Sequence, residues 1–217
     1  MRFQCTRQDL IPAINLVEKA IAPSSSNLPI IAGISIQAKN NQITLTSTNL
    51  ELGIESTFAA HISKENQIVV DGKLFAALVR KLPDQPIIFE LIENQLIITA
   101  GTVEFALTTF QNDDFPTLPV PQEPLFKIST DILFKMIKNT IYACGKDEKR
   151  PFLNGILFEL EGSTLNFVAT DINRLAYYSH QLPEPVSEQL RLLVPMKTFQ
   201  EIQRSIPNDD TEVEISY

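Results

Sequence analysis

Residues 29–50, PIIAGISIQAKNNQITLTSTNL, and residues 151–172, PFLNGILFELEGSTLNFVATDI, align without a gap at an offset of 122 residues. Pro29 meets Pro151, Gly33 meets Gly155, Ile34 meets Ile156, and Thr48-Asn49 meets Thr170-Asp171. The apolar alternation agrees as well: Ile36 falls on Phe158, Ile43 on Leu165 and Leu45 on Phe167. Downstream, Val70, Lys73, Phe75, Arg80 and Pro83 recur at an offset of 124 as Val194, Lys197, Phe199, Arg204 and Pro207. Upstream, Asp9-Leu10-Ile11 recurs as Asp131-Ile132-Leu133. A period this long marks a duplicated domain rather than a short solenoid unit.

Each repeat predicts the same elements. A helix over Thr6–Ile21 places Leu10, Ile14 and Val17 on one face, with Asp9 in its first turn and Pro12 tolerated there. Its counterpart spans Thr130–Tyr142, capped by Ser129 or Thr130. Strands follow at Ile30–Ala38 and Gln42–Thr48 across a polar turn, and at Ile156–Leu160 and Thr164–Ala169 across Glu161-Gly162-Ser163. Second helices at Gly72–Leu82 and Met196–Ile206 are each stopped by the next proline. Repeat one closes with strands at Ile87–Leu91, Gln95–Ala100 and Val103–Thr109, and a proline-rich linker runs from Phe115 to Pro124. The expectation is an α+β fold of duplicated domains, 1–120 and 121–217, each with two helices packed on a curved, mostly antiparallel sheet of about eight strands. At the second offset Tyr217 falls on Glu93, where repeat one still has two strands to come, so the chain is expected to be part of something longer.

Catalytic signals are absent. His61 and His180 occupy non-equivalent positions without metal-ligand spacing, and the seven glycines form no phosphate-cradling cluster. Adjacent acids such as Asp113-Asp114, Asp147-Glu148 and Asp209-Asp210 fit solvated turns. Cys5 and Cys144 sit at non-equivalent places, which fits two buried thiols in a reduced, cytoplasmic protein better than a disulfide framework. No apolar run has the length of a membrane span. The net charge of −8 excludes a bulk polycation, so any nucleic-acid contact must come from cations gathered on one face. Lys73 and Arg80, like Lys197 and Arg204, stand seven apart on one helical stripe, repeated in both domains. Such a stripe suits phosphates without reading bases.

Asn27-Leu28-Pro29-Ile30, Thr48-Asn49-Leu50-Glu51, Asp114-Phe115-Pro116, Leu153-Asn154-Gly155-Ile156-Leu157-Phe158-Glu159 and the run Val168 to Ala176 together resemble the signature segments of the bacterial β sliding clamp family. The resemblance runs in order along the whole chain. It implies a non-catalytic processivity subunit of DNA polymerase III, without cofactor or metal, with three such domains per subunit and two subunits closed head to tail around duplex DNA. Helices would line the ring and sheets would face outward. Its partners would be double-stranded DNA, replicative and repair polymerases and the clamp loader.

Carried onto this chain, the resemblance makes Lys73, Arg150, Phe152 and Lys197 the DNA-facing residues, and Arg80 joins them from the repeated stripe, with Asp147 and Pro151 departing from the usual residues of the Arg150 loop. Ser24-Ser25-Ser26 stands where a basic contact is often found. A peptide pocket for partners maps onto Leu153, Thr170, Ile172, Asn173, Arg174 and Leu175, with Ile172-Asn173 replacing the more usual Gly-His. Phe105 and Leu107 map onto one side of the ring interface and are expected to stand exposed. Two other readings compete: a peptide-binding module that no longer encircles DNA, and a hydrolase using Asp171, Asn173 and Arg174. Against the hydrolase, the Thr-Asn/Asp pair occurs in both repeats, and a catalytic residue need not.

Overall fold

The computed structural model describes residues 1–23, 28–110, 114–120, 123–147 and 149–217. The Ser24-Ser25-Ser26 loop, Asp113, Glu148 and the linker residues Pro121 and Gln122 lie outside them. The chain divides into two compact units, Met1–Leu118 and Pro119–Tyr217.

Unit 1 runs β1 Arg2–Cys5, α1 Arg7–Val17, β2 Gly33–Lys39, β3 Gln42–Thr48, β4 Gly53–Ala59, β5 His61–Lys64, β6 Asn66–Asp71, α2 Gly72–Lys81, β7 Ile87–Ile92, β8 Gln95–Ala100 and β9 Val103–Phe110. Its strands form one sheet in the order β4-β3-β2-β6-β9-β8-β7-β1-β5, with antiparallel ladders throughout. Unit 2 runs β10 Phe126–Ser129, α3 Thr130–Lys138, β11 Gly155–Glu161, β12 Thr164–Thr170, β13 Leu175–Gln181, β14 Leu190–Pro195, α4 Met196–Ser205 and β15 Glu212–Ile215. Its sheets are β13-β12-β11-β14 and the pair β10-β15, again antiparallel. This is the expected α+β architecture, with nine strands described in unit 1 and six in unit 2 rather than about eight in each.

The shared residues have local structural jobs. Asn40 and Asn41, both at positive φ (52° and 57°), make the β2–β3 turn; Gly162 at φ 56° serves β11–β12. Gly33 and Gly155 are required by close approach: a Cβ would lie 2.5 Å from Val69 Cγ1 at the first and 2.6 Å from the Val194 carbonyl at the second. Thr6, Asp71 and Ser129 cap α1, α2 and α3 by accepting from the N–H of Asp9, Leu74 and Ile132.

Three sequence expectations are corrected. Pro12 is the sixth residue of α1, beyond the first turn, and removes the N–H that would meet the Gln8 carbonyl; burial of Leu10, Ala13, Ile14 and Val17 keeps the helix. Helices α1 and α3 stop at Val17 and Lys138, with 3₁₀ turns at Glu18–Ala20 and Ile141–Ala143 covering the rest. Pro29–Ala32 is a 3₁₀ turn rather than the start of β2.

Aromatic stacks occupy both cores. Phe89 stacks on Phe3 at 4.5 Å and meets Phe75 edge-on at 6.3 Å. In unit 2 Phe126, Phe158, Phe167 and Phe199 form a chain with centroid spacings of 6.2, 5.5 and 5.1 Å. Both cysteines are free and buried, and burial pushes the thiol of Cys5 up to about 12 and that of Cys144 to about 11.

Candidate DNA-facing residues and peptide pocket

The repeated Lys/Arg stripe separates into two kinds of residue. Lys73 and Lys197 are each the second residue of their helix, α2 and α4, and both are exposed. Neither has an ion pair among the described residues. A cation there opposes the helix dipole, at a cost of about 0.3–1 kcal/mol. The same unfavourable choice at equivalent places in both units is hard to explain by stability alone.

Arg80 is engaged within the protein. Its guanidinium donates to both carboxylate oxygens of Glu18 and to Asn15 Oδ1 at 2.9 Å, while its carbonyl accepts from Arg7 at 3.2 Å. The hydrogen bond from Arg80 holds the Glu18 carboxyl below the usual carboxylate range. Arg80 thus ties α1 to α2. Arg204 pairs with Glu201 on its own helix at 2.7 Å.

The Arg150 loop, expected to be solvated, is anchored. The Asn154 amide donates to the Asp147 carbonyl and accepts from the Asp147 N–H, both at 3.1 Å, and Gly145 N–H donates to Leu153 at 2.8 Å. Arg150 donates through Nε and Nη2 to Asp147 Oδ2, each at 2.8 Å. The Lys149 N–H and the Arg150 guanidinium together hold Asp147 below the usual carboxylate range. Phe152 stays exposed on the 3₁₀ turn Pro151–Leu153. Arg150 therefore reaches solvent already paired with Asp147.

Thr170 to Arg174 form the β12–β13 turn. The Thr170 hydroxyl donates to the Arg174 carbonyl at 2.8 Å and accepts from Ile172 N–H at 3.1 Å. Asp171 Oδ1 accepts from the N–H of Asn173 and Arg174, and Oδ2 from Arg174 Nε at 2.9 Å. Desolvation would raise the Asp171 pKa, but these donors, the Arg174 N–H foremost, outweigh it and hold it low. The β3–β4 turn repeats the pattern: Thr48 donates to Leu52, and Asn49 Oδ1 accepts from Glu51 and Leu52. The duplicated Thr-Asn/Asp pair is thus turn chemistry, and Asp171 is spent on its own backbone rather than free as a general base.

Ile172 at φ 80° and Leu50 at φ 73° hold the strained corner of each turn. A β-branched residue there costs about 1–2 kcal/mol. Ile172→Asn should raise the stability of unit 2 by about 1 kcal/mol in chemical denaturation, because Ile172 is 62% exposed and has little packing to lose. A lower midpoint would show that Ile172 packs where the structure leaves it open.

Around this turn Arg174 lies over the Tyr142 ring at 5.8 Å, and the turn holding Tyr142 packs on β12 and β13. Ile172, Asn173, Arg174 and Leu175 are exposed, Thr170 is half-buried and Leu153 is buried. Tyr142 was missed in the sequence, where it reads as the end of the first helix; only an aromatic standing off the apolar face signalled it. A separate open concavity of about 870 Å³ is lined by Glu123, Leu125, Val186, Glu188 and Tyr217 among others, with no basic side chain among its described lining residues.

The expected exposure of Phe105 and Leu107 is corrected. Leu107 is 3% exposed within the unit 1 core and Phe105 is half-buried against it, because both point inward from β9. Among the described residues, β9 pairs with β8 along Val103–Thr108 but with β6 only at Thr109 and Phe110. What Phe105 and Leu107 do is hold this strand to its core.

Residues 1–119 match the family described as DNA polymerase III beta subunit, N-terminal domain, and residues 127–217 match its central domain. The chain is 31% identical to the beta sliding clamp of Staphylococcus aureus over 227 residues, covering all of this chain and 60% of that protein. The DNA polymerase sliding clamp of Bacillus subtilis superposes with a TM-score of 0.95 at 29% identity, covering 100% of this chain and 60% of that one. The DNA polymerase III beta subunit of Thermotoga maritima superposes with a TM-score of 0.82 at 32% identity, covering 100% and 59%. The chain thus spans about three-fifths of the length of these relatives.

Proposed function

The chain belongs to the bacterial β sliding clamp family, and from that premise we propose that it forms the first two of three repeats in a non-catalytic DNA clamp. A ring of two such subunits encircles duplex DNA and tethers replicative and repair polymerases in the cytoplasm, with a clamp loader to open it. The observation that supports this best is the pair Lys73 and Lys197, unpaired among the described residues and placed alike at two helix starts against the dipole.

Retention in such a ring is topological: leaving DNA requires opening the ring, not breaking contacts. Weak, sequence-blind phosphate contacts then permit sliding, and few inner cations suffice in a protein of net charge −8. Arg80 and Arg150 contribute less than their charge suggests, since Glu18 and Asp147 already compensate them. Phe152 meets the duplex beside Arg150. The ring closes through the β9 backbone edge, which Phe105 and Leu107 anchor from inside. Partner peptides dock at Leu153, Thr170 and Ile172 to Leu175, with the Arg174–Tyr142 pair as one wall.

The test uses the full-length protein loaded onto nicked circular DNA. Retention through gel filtration, followed by release on linearisation, is the expected result. Equal loss from circular and linear DNA would remove the ring and leave the peptide-binding module as the better reading.

A further inference from the structure

The loop before Pro151 holds more positive charge than it offers to solvent. Lys146, Lys149 and Arg150 are exposed, and Asp147 is half-buried among them. Lys146 and Lys149 have no ion pair among the described residues, whereas Arg150 donates through both Nε and Nη2 to the single oxygen Asp147 Oδ2, each at 2.8 Å. The one guanidinium of the loop is thus the cation that carries a counter-ion.

That counter-ion is held by bonds that owe nothing to Arg150. The Asn154 side chain takes both the N–H and the carbonyl of Asp147, and Asp147 Oδ1 accepts from the Lys149 N–H at 2.8 Å. Asn154 is itself fixed, since its carbonyl accepts from the Met196 N–H at 3.0 Å, at the start of α4 and one residue before Lys197. A pair this exposed, 47% for the arginine side chain and 34% for the aspartate, ordinarily adds little to stability. Stability therefore does not account for so much support. Unit 1 provides the comparison: at the offset of 122, Lys146–Arg150 fall on Ser24–Leu28, which has neither cation nor acid. The cations and the acid are present together in one repeat and absent together in the other.

We propose that Asp147 limits how strongly unit 2 grips DNA, its fixed carboxylate occupying the Arg150 guanidinium in place of a backbone phosphate. The role rests on the reading of this loop as DNA-facing. A phosphate nearing Arg150 must displace or share donors already committed at 2.8 Å, and it meets a second anion as it does so. Asp147 cannot swing aside to make room, because Asn154 and the Lys149 N–H hold it. In a ring kept on DNA by topology, a tight hold on phosphate adds nothing to retention and slows sliding. A cation with its own anchored counter-ion meets that requirement, and Asp147 is then the residue that sets the strength of the contact.

The test compares the unaltered full-length protein with Asp147→Asn, Arg150→Ala and the two combined, in salt-titrated binding to nicked circular DNA. Asparagine keeps an oxygen for the Lys149 N–H and leaves the Asn154 bonds in place, so the loop retains its support. Asp147→Asn should tighten binding by about three- to tenfold at low salt and steepen the log–log salt slope by about 0.9 per subunit, the value of one added phosphate contact. The gain should vanish without the guanidinium, so that the combined variant binds as Arg150→Ala does. Tightening that persists in the combined variant would be the general effect of removing an acid and would overturn the proposal, as would no tightening in Asp147→Asn. Equal loss of the unaltered protein from circular and linear DNA would remove the ring itself. A retained ring without Arg150-dependent tightening removes only this role of Asp147.

Discussion

Phe89→Ala is expected to destabilise unit 1 by about 3–5 kcal/mol, the range for removing a buried aromatic that neighbours cannot replace. Phe89 is fully buried, stacked on Phe3 and edge-on to Phe75, so the cavity would open between β1, β7 and α2. Strands β1 and β7 are each held by ladders on both sides. Little can collapse into the gap. A domain with 5–15 kcal/mol of stability would lose a large part of it. The chain offers a selective probe, since it has no tryptophan and its four tyrosines, Tyr142, Tyr177, Tyr178 and Tyr217, all lie in unit 2. In urea, far-UV circular dichroism should show an early loss of unit 1 signal, while tyrosine emission should follow the unaltered midpoint. A shift of less than about 1 kcal/mol in the dichroism transition would contradict the packing described.

The duplication was legible because both copies keep residues that backbone geometry demands. Gly33 and Gly155 permit close strand approach, and Thr48-Asn49 and Thr170-Asp171 build the same hydrogen-bonded turn. Helix periodicity located α2 and α4 to within a residue, since each has a strong apolar face and a proline just beyond it. What stayed hidden depended on distant partners. Nothing near Arg80 in the sequence shows that Glu18, sixty-two residues away, neutralises it. Leu107 sits in an alternating strand whose inward parity is fixed only by pairing with β8. The strands β4, β5 and β6 lack long apolar alternation and are set by the sheet around them. For the candidate DNA-facing site, residue type found the cations, and only the structure separated the lysines, without an ion pair among the described residues, from the committed arginines.

That separation gives opposite expectations for two kinds of substitution in the full-length protein. Lys73→Glu with Lys197→Glu places an acid in the first turn of α2 and α4, where the dipole favours it, so stability should hold or rise by about 0.3–1 kcal/mol per site. DNA association should fall, because two cations per subunit become repulsive to phosphate. With each lysine counted as one phosphate contact, the salt dependence should lose about 1.8 from its log–log slope per subunit, and affinity at low salt should drop by about tenfold or more. Arg80→Ala should do the reverse. It removes the donors to Glu18 and Asn15, costing about 1 kcal/mol in partly exposed surroundings, and should leave DNA association nearly unchanged. Thermal melting and salt-titrated binding to nicked circular DNA measure both quantities on the same preparations. If the lysine reversal unfolds the protein, or if Arg80→Ala weakens DNA binding as much as the lysine pair does, the assignment is wrong. The sharpest outcome is a crossed one, with binding lost and stability kept in the first variant and the opposite in the second. The double reversal changes the charge by −4 per subunit, two sites at −2 each, and Arg80→Ala by only −1. Lys73→Ala removes one cation, as Arg80→Ala does, and so makes the comparison at equal charge, where only a difference in pairing distinguishes the two.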